Sequence, residues 1–321
     1  MSISKSKKHP IVGNILAELQ GEDWKRIRSI TSPVFTSGKM RKMYPLVRQS
    51  VEGFMNTLSE YLKHKQVIDV KEMYACLTMD VIANCAFATK TNAFKDPNNA
   101  FVVNGRDVLK VSKGKDNIND ESDRHESYHN NECEEELKMA NKILNIKPSN
   151  KFITEDEMIA QGFVVFIAGY ETASTTLSFC SYELALNPDV QQKLYEEVMS
   201  SLDTNGEIDY EVLTKLPFLD AVIAETLRLH SPIVKIGNIA AQDYRLGSTG
   251  ITVQKGQTVE IPIYAIHHSE EYYPNPEMFI PDRFLPVNRH KIIPYTYLPF
   301  SAGPRNCIGM SLPEVRKQKF P

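Results

Sequence analysis

Apolar residues recur at helical spacing along most of this chain. In 44–62 the stripe is Val51, Phe54, Met55 and Leu58, and in 70–87 it is Met73, Leu77, Val81 and Ile82. Residues three and four apart share one face of a 3.6-residue helix, so each stretch predicts an amphipathic helix facing a core. An earlier segment, 14–46, opens the folded part. There Gly21-Glu22-Asp23 places acidic residues ahead of Trp24-Lys25-Arg26-Ile27-Arg28, a helix start whose charge suits the macrodipole. The longest predicted helix runs from Thr154 to about Leu186. Thr154 and Glu157 fit a capping box, Glu155, Asp156 and Glu157 fill the positive end, and Asn187-Pro188 stops it. Further helices are predicted over 189–202 and 219–229. Strand signals are few: 251–264 alternates around Lys255-Gly256, which reads as a hairpin, and 272–284 is proline-rich and irregular. The expected fold class is mainly α with a small β region, one domain over 1–321.

From Gly105 the composition changes. Residues 113–136 are rich in Asn, Asp, Glu, Ser and Lys and nearly empty of apolar residues, a disordered or solvated linker by composition. Within it His125, His129 and Cys133 are spaced as a metal-binding face of a helix would be, but Ser127, Asn130 and Asn131 disfavour a helix there. Across all 321 residues the net charge is −3 with 40 acidic and 37 basic residues, which gives no bulk case for nucleic acid as a partner. The five cysteines, Cys76, Cys85, Cys133, Cys180 and Cys307, form no C-x-x-C pair and suit a reducing compartment. No apolar run approaches transmembrane length, the longest being 163–169, and the polar, basic first eight residues do not read as a signal peptide.

The candidate chemistry is concentrated in four places. Pro299-Phe300-Ser301-Ala302-Gly303-Pro304-Arg305-Asn306-Cys307-Ile308-Gly309 holds one thiol in a segment that Pro and Gly keep out of helix and sheet. Arg305 adds a fixed cation two residues before the thiol; the simpler alternative is an inert cysteine in a Gly/Pro loop. In Ala168-Gly169-Tyr170-Glu171-Thr172, Gly169 costs about 1 kcal/mol relative to Ala inside a helix. Thr172 can bond back to the Ala168 carbonyl and open or bend the helix there. The result is either a notch beside an acid and an alcohol, or a site of close helix packing. Glu225 and Arg228 are three apart on one face of an otherwise apolar helix, an ion pair expected to be partly buried. Trp24 and Arg28 share a helix face and suit a buried carboxylate, or a half-buried surface helix. The basic run Ser37-Gly38-Lys39-Met40-Arg41-Lys42 follows.

Five motifs stand in one order: W-x-x-x-R, A-G-x-E-T, E-x-x-R, P-x-R-F, and F-x-x-G-x-R-x-C-x-G with Phe300, Gly303, Arg305, Cys307 and Gly309 all matched. Together they resemble the cytochrome P-450 family, over roughly 9–105 and 150–310, and look closest to its animal microsomal branch of broad specificity. The resemblance implies a haem b cofactor with the Cys307 thiolate on iron, Trp24 and Arg28 donating to a propionate, and Lys235 standing where an Arg often reaches another. It implies dioxygen beside Ala168 and Gly169, with Glu171 and Thr172 ordering the proton supply. Glu225, Arg228 and Arg283 would form a structural lock that fixes the loop leading to the cysteine. The implied activity is monooxygenation of an apolar small molecule. Its electrons come from NADPH through a reductase, with a cytochrome b-type donor as a further partner and the basic run 37–42 meeting the donor. The implied location is the cytosolic face of the endoplasmic reticulum membrane. A haem-thiolate isomerase or dehydratase, and a non-catalytic remnant, are the rival readings. The family's anchor and first helices find no counterpart. After Gly309, Pro313 and Arg316 replace the Ala and Glu of its A-x-x-E helix, so the expectation is an incomplete member.

Overall fold

The computed structural model describes residues 10–65, 67–96, 98–113 and 152–310. The expected linker from 114 onward, with His125, His129 and Cys133, lies outside the described residues, as do Pro313 and Arg316. The fold is mainly α with a small β region. It comprises two compact units, one drawn from Met1–Val34 and Thr91–Ala168, the other from Phe35–Lys90 and Gly169–Pro321.

The first unit contains α1 (Pro10–Gly13), α2 (Gly21–Thr31), α5 (Ala100–Lys113) and the start of α6 (Glu155–Leu186). The capping box forms: Glu157 N–H donates to Thr154 Oγ1 at 3.2 Å and Thr154 N–H to Glu157 Oε2 at 2.9 Å. Glu157 is buried and also accepts from Arg26 of α2, whose guanidinium reaches the Phe152 carbonyl at 2.7 Å. One carboxylate thus closes a helix end and ties α2 to α6. Beside it Gln161 donates to the Asn14 carbonyl at 2.7 Å and accepts from Leu16 N–H at 3.2 Å.

Arg26 first, then the Thr154 amide, hold the Glu157 carboxyl below its ordinary range against the opposing effect of burial. A lowered carboxylate pKa contributes stability that is present above the unfolded value and is lost as pH falls through the folded one. Glu157→Gln is therefore expected to lower stability at pH 7 by about 2 kcal/mol. At a pH below both carboxyl values the gap closes. Urea unfolding at neutral and acid pH checks this; an equal deficit at both would show that the charge is irrelevant.

The second unit contains α3 (Ser37–Lys63), α4 (Val70–Phe87), the rest of α6, α7 (Pro188–Ser200), α8 (Tyr210–Leu213), α9 (Pro217–Leu229), four short strands and α10 (Ile263–His267). Helix α4 has the bounds that its apolar stripe predicts, with Asp69 capping the Glu72 amide at 3.0 Å. Helix α3 begins a full two turns before the expected Tyr44 and runs through Pro45, which removes one ladder donor. The reason is tertiary: Tyr44 donates to the Ile208 carbonyl at 2.8 Å and meets Tyr210 edge-on, while Arg41 pairs with Glu211 and Arg48 with Glu207.

Helix α6 stays α-helical through 168–174 instead of opening at Gly169. Gly169 answers to packing: a Cβ there would lie 3.0 Å from Ile82 Cδ1 of α4. Along the same α4 face Thr78 donates to the Tyr170 carbonyl at 3.2 Å and Tyr74 bonds Ser181 at 2.7 Å. This helix is long and apolar enough to cross a membrane by length and composition. Along its second half, Ser174 and Thr175 accept from Lys71 of α4, and Ser181 bonds Tyr74 of the same helix.

The strand expectation needs correcting. Strands form on both sides of Lys255-Gly256, as β3 (Thr252–Val253) and β4 (Thr258–Ile261), but they do not make a hairpin with each other. Strand β4 pairs antiparallel with β1 (Ile236–Ile239), and β3 with β2 (Tyr244–Arg245). The corner between them is committed elsewhere. Asp243 accepts the Lys255 amide at 2.8 Å, Gln257 Oε1 accepts the Gln254 amide at 2.7 Å, and Gly256, with φ +87°, sends its N–H to the Ala240 carbonyl at 2.8 Å. Pro262 ends β4 and α10 follows, so the strand region stops short of Tyr264.

Candidate functional site

The best-defined polar centre lies under α9. This helix starts at Pro217 after Leu216, which has no side chain to cap it. Glu197 of α7 supplies the cap instead, accepting the Phe218 and Leu219 amides at 2.8 Å each. The apolar face of α9 then packs Ala221 and Ala224 against Tyr273, Phe284 and Tyr297, and Phe218, Val222 and Leu229 against Phe279. Between these two clusters sit Glu225 and Arg228, each 0% exposed.

Arg228 donates to both Glu225 oxygens at 2.8 and 2.9 Å, to the His267 carbonyl at 2.8 Å and to the Met278 carbonyl at 3.2 Å. Glu225 also accepts the Ile280 amide at 2.9 Å and Arg283 Nε at 3.3 Å. Arg283 reaches on to the Pro274 and Asn275 carbonyls at 2.6 and 3.0 Å. The structure thus brings Glu225, Arg228 and Arg283 together. The stem of each charge is fixed by carbonyls and amides of 267–280, which satisfy a buried pair that would otherwise be expensive.

From this centre the chain runs to the cysteine loop. Thr296, Tyr297, Leu298 and Pro299 are buried. Tyr297 donates to the Ala224 carbonyl at 3.0 Å and packs on Phe284, and burial lifts its phenol well above the ordinary value. From 301 to 310 no helix or strand forms; Ser301 and Gly303 take left-handed φ of 62° and 79°. The loop closes on itself through Cys307 N–H to the Phe300 carbonyl at 2.9 Å. Cys307 is a free, exposed thiol, and Arg305 is exposed as well. Gly309 lies beside the thiol: a Cβ there would meet the Cys307 sulfur at 3.9 Å, an ordinary contact. By contrast, burial pushes the Cys85 and Cys180 thiols up, away from the thiolate form that binds metal.

The other expected residues fall as follows. On α6, Glu171 and Thr172 are half-buried, Gly169 faces Ile82, and Ala168 is exposed. Lys235 is exposed and bonds Glu260 at 2.7 Å. Trp24 and Arg28 lie one turn apart on α2 in the first unit, both half-buried beside the fully buried Ile27.

The cytochrome P450 family model matches residues 3–120 and 105–320. The chain belongs to the cytochrome P450 family. It is 32% identical over 332 residues to cytochrome P450 3A29 of Sus scrofa, an overlap of 92% of this chain and 66% of that protein. Against the probable cytochrome P450 6a14 of Drosophila melanogaster the identity is 33%, over 96% of this chain and 69% of that one. Against cytochrome P450 9e2 of Blattella germanica it is 34%, over 94% and 68%. The chain spans about two-thirds of the length of the curated relatives it matches.

The donor set fits the haem iron that this P450 family implies. One open thiol on an anchored loop, the Cys307 sulfur, would hold that iron. Among the described residues no cluster of three His, Cys, Asp or Glu side chains is arranged to hold a bare metal ion.

Three residues of this P450 escape a reading of motifs. Lys71 of α4 stands 3.4 Å from Glu171 and donates to Ser174 at 3.1 Å and Thr175 at 2.5 Å. Its neighbours one turn on along α4 are Tyr74 and Ala75, so nothing in sequence marks it. Glu197 is one acid in a charged helix. His267 is the first of two adjacent histidines, and no pattern tells the buried one from His268, which stacks on Tyr264.

Proposed function

We propose that this P450 is a haem-thiolate monooxygenase: it inserts one oxygen atom of dioxygen into an apolar small molecule. Electrons come from NADPH through a reductase, with a cytochrome b-type donor as an alternative source. The observation that carries this reading is Cys307, a free, exposed thiol whose loop is anchored to a buried ion-paired centre. When bound, haem b supplies the oxygen-activating iron, and a cysteine thiolate ligand favours O–O cleavage by pushing electron density onto it. Cys307 Sγ would hold the iron, with Phe300, Gly303, Arg305 and Gly309 shaping its loop. Trp24 and Arg28 would donate to a propionate, and at Lys235 a propionate would compete with Glu260. The Glu225–Arg228–Arg283 centre positions the segment leading into the loop and touches no reacting atom.

On α6, Glu171 and Thr172 would move the proton, with Ala168 and Gly169 giving dioxygen room. Lys71 orients the Glu171 carboxylate from α4. The exposed Lys39, Arg41 and Lys42 at the start of α3 would face an acidic donor, although Arg41 already pairs with Glu211. The proposed location is the cytosolic face of the endoplasmic reticulum membrane.

The test reconstitutes the full chain with haem, reductase and NADPH and measures product against NADPH consumed for an apolar probe substrate. Thr172→Ala is expected to keep haem and substrate binding while product per NADPH falls roughly tenfold, the oxygen appearing as peroxide. Turnover that needs no NADPH would replace this reading with an isomerase or dehydratase. Unchanged coupling in Thr172→Ala would remove that residue from the proton path.

A further inference from the structure

We infer that His267 is a positioning residue for Cys307: its ring fixes the backbone from which the cysteine loop departs. The inference rests on the haem-thiolate reading for its spectroscopic consequence and on hydrogen bonds alone for its structural one. His267 ends α10 and is 0% exposed. The Leu298 amide donates to its Nε2 at 2.9 Å, and its Nδ1 lies 3.2 Å from the Arg228 carbonyl. An amide N–H can only donate, so Nε2 is the acceptor and the ring proton sits on Nδ1, where it donates to Arg228. One neutral tautomer satisfies both bonds. Arg228 returns the tie through its guanidinium, which donates to the His267 carbonyl at 2.8 Å.

The linkage continues in both directions. Upstream, Arg228 carries it into Glu225 and Arg283. Downstream, the Leu298 carbonyl accepts the Ser301 amide at 3.0 Å, and the Phe300 carbonyl accepts the Cys307 amide at 2.9 Å. Tyr297 anchors this segment by its side chain; His267 anchors it by its backbone. A second donor at Nε2 would face the Leu298 N–H, so protonation breaks the tie.

The groups facing the ring are the Arg228 cation from α9, Glu225 bonded to that cation, and the neighbouring His268. Tyr297 stacks at 5.7 Å and Tyr273 meets the ring edge-on at 6.4 Å. Burial first, opposed by the hydrogen bond to the Arg228 carbonyl and helped by the Arg228 cation and His268, lowers the imidazole to about 4, so the neutral form stands at physiological pH. Because the folded value lies below the unfolded one, the unfolded chain takes up the proton first. Stability from this residue is complete above the ordinary histidine range and declines as pH falls toward about 4.

The experiment compares His267→Gln with His267→Asn in the full chain. Gln can place a carbonyl oxygen where Nε2 accepts from Leu298. Asn reaches only the Nδ1 position and keeps the Arg228 bond. The first readout needs no haem: hydrogen exchange at the Leu298 and Cys307 amides. In His267→Asn both are expected to exchange about tenfold faster, the loss of one hydrogen bond; in His267→Gln both stay near wild type. The second readout is the fraction of the reduced, CO-treated protein that shows the thiolate signature, expected to fall in His267→Asn and to be retained in His267→Gln.

Equal behaviour of the two variants, or wild-type protection of Leu298 in His267→Asn, would overturn the inference. Should both variants fail to fold, acid titration of the wild type decides. Leu298 protection that falls as pH approaches 4, ahead of global unfolding, supports it, and protection lost only with the fold overturns it. A wild-type chain with the exchange pattern but no thiolate signature would sink the haem reading and leave the positioning role standing. The signature without a Gln–Asn difference would do the reverse.

Discussion

Cys307→Ser is expected to abolish the thiolate signature of the reduced, CO-treated haem protein while leaving the fold almost untouched. The side chain is exposed, so the exchange of sulfur for oxygen should change stability by no more than about 0.5 kcal/mol. The backbone tie from residue 307 to Phe300 survives, since serine keeps the amide. A neutral hydroxyl is a far poorer iron ligand than a thiolate, so the electronic push is lost outright rather than weakened. Cys85→Ser is the matched control: that thiol is pushed up by burial and should leave the signature intact. The absorption spectrum of the reduced carbonyl complex, read beside urea unfolding of both variants, checks the expectation. A signature that survives in Cys307→Ser would assign the ligand elsewhere.

Arg228→Ala is expected to be the most destructive single change to the fold. It removes four hydrogen bonds and leaves the Glu225 carboxylate buried with only the Ile280 amide and Arg283 to hold it. Breaking one side of a buried pair costs about 3–5 kcal/mol, against a whole-domain stability of about 5–15 kcal/mol. The Met278 and His267 carbonyls lose their donor at the same time, so the irregular segment from 267 to 280 loosens with the pair. Soluble folded protein and bound haem should fall together, measured as urea midpoint and haem per chain. Arg228→Lys keeps the charge but not the fork, and is expected to recover only part. Replacing both Glu225 and Arg228 with apolar residues of similar size should be milder than Arg228→Ala alone, because no charge is then orphaned. Stable, haem-loaded Arg228→Ala protein would reduce the centre to ornament.

Much of this architecture is legible in the chain because it is local. The Thr154–Glu157 box and the bounds of α4 depend on residues within one or two turns, and sequence reasoning reads both. What escapes depends on partners far away. Helix α3 passes through Pro45 because Tyr44 and Arg48 are held by 207–210. The α9 cap comes from Glu197 on another helix. Gly169 reads equally as a notch or as a packing site until Ile82 is seen against it. At the candidate site, fixed spacings bring Glu225, Arg228, Arg283 and Cys307 into view. The imidazole standing between them carries no spacing of its own. Strand pairing escapes for the same reason: alternation shows where extended backbone lies, but partner choice is decided by competing amides.

The nested pairing of the four strands has a kinetic consequence. Strands β2 and β3 enclose only a short loop from 246 to 251, whereas β1 and β4 enclose the whole of β2, β3 and both connections. The entropy lost on closing a loop grows with its length, so the inner ladder closes at lower entropic cost. Once it has formed, the outer ends are already drawn together, and β1 meets β4 across a much shorter effective span. This region should therefore assemble from the inside outward, in zipper order. A lesion in β2 or β3 would then slow the arrival of β4, and with it the placement of Pro262 and α10.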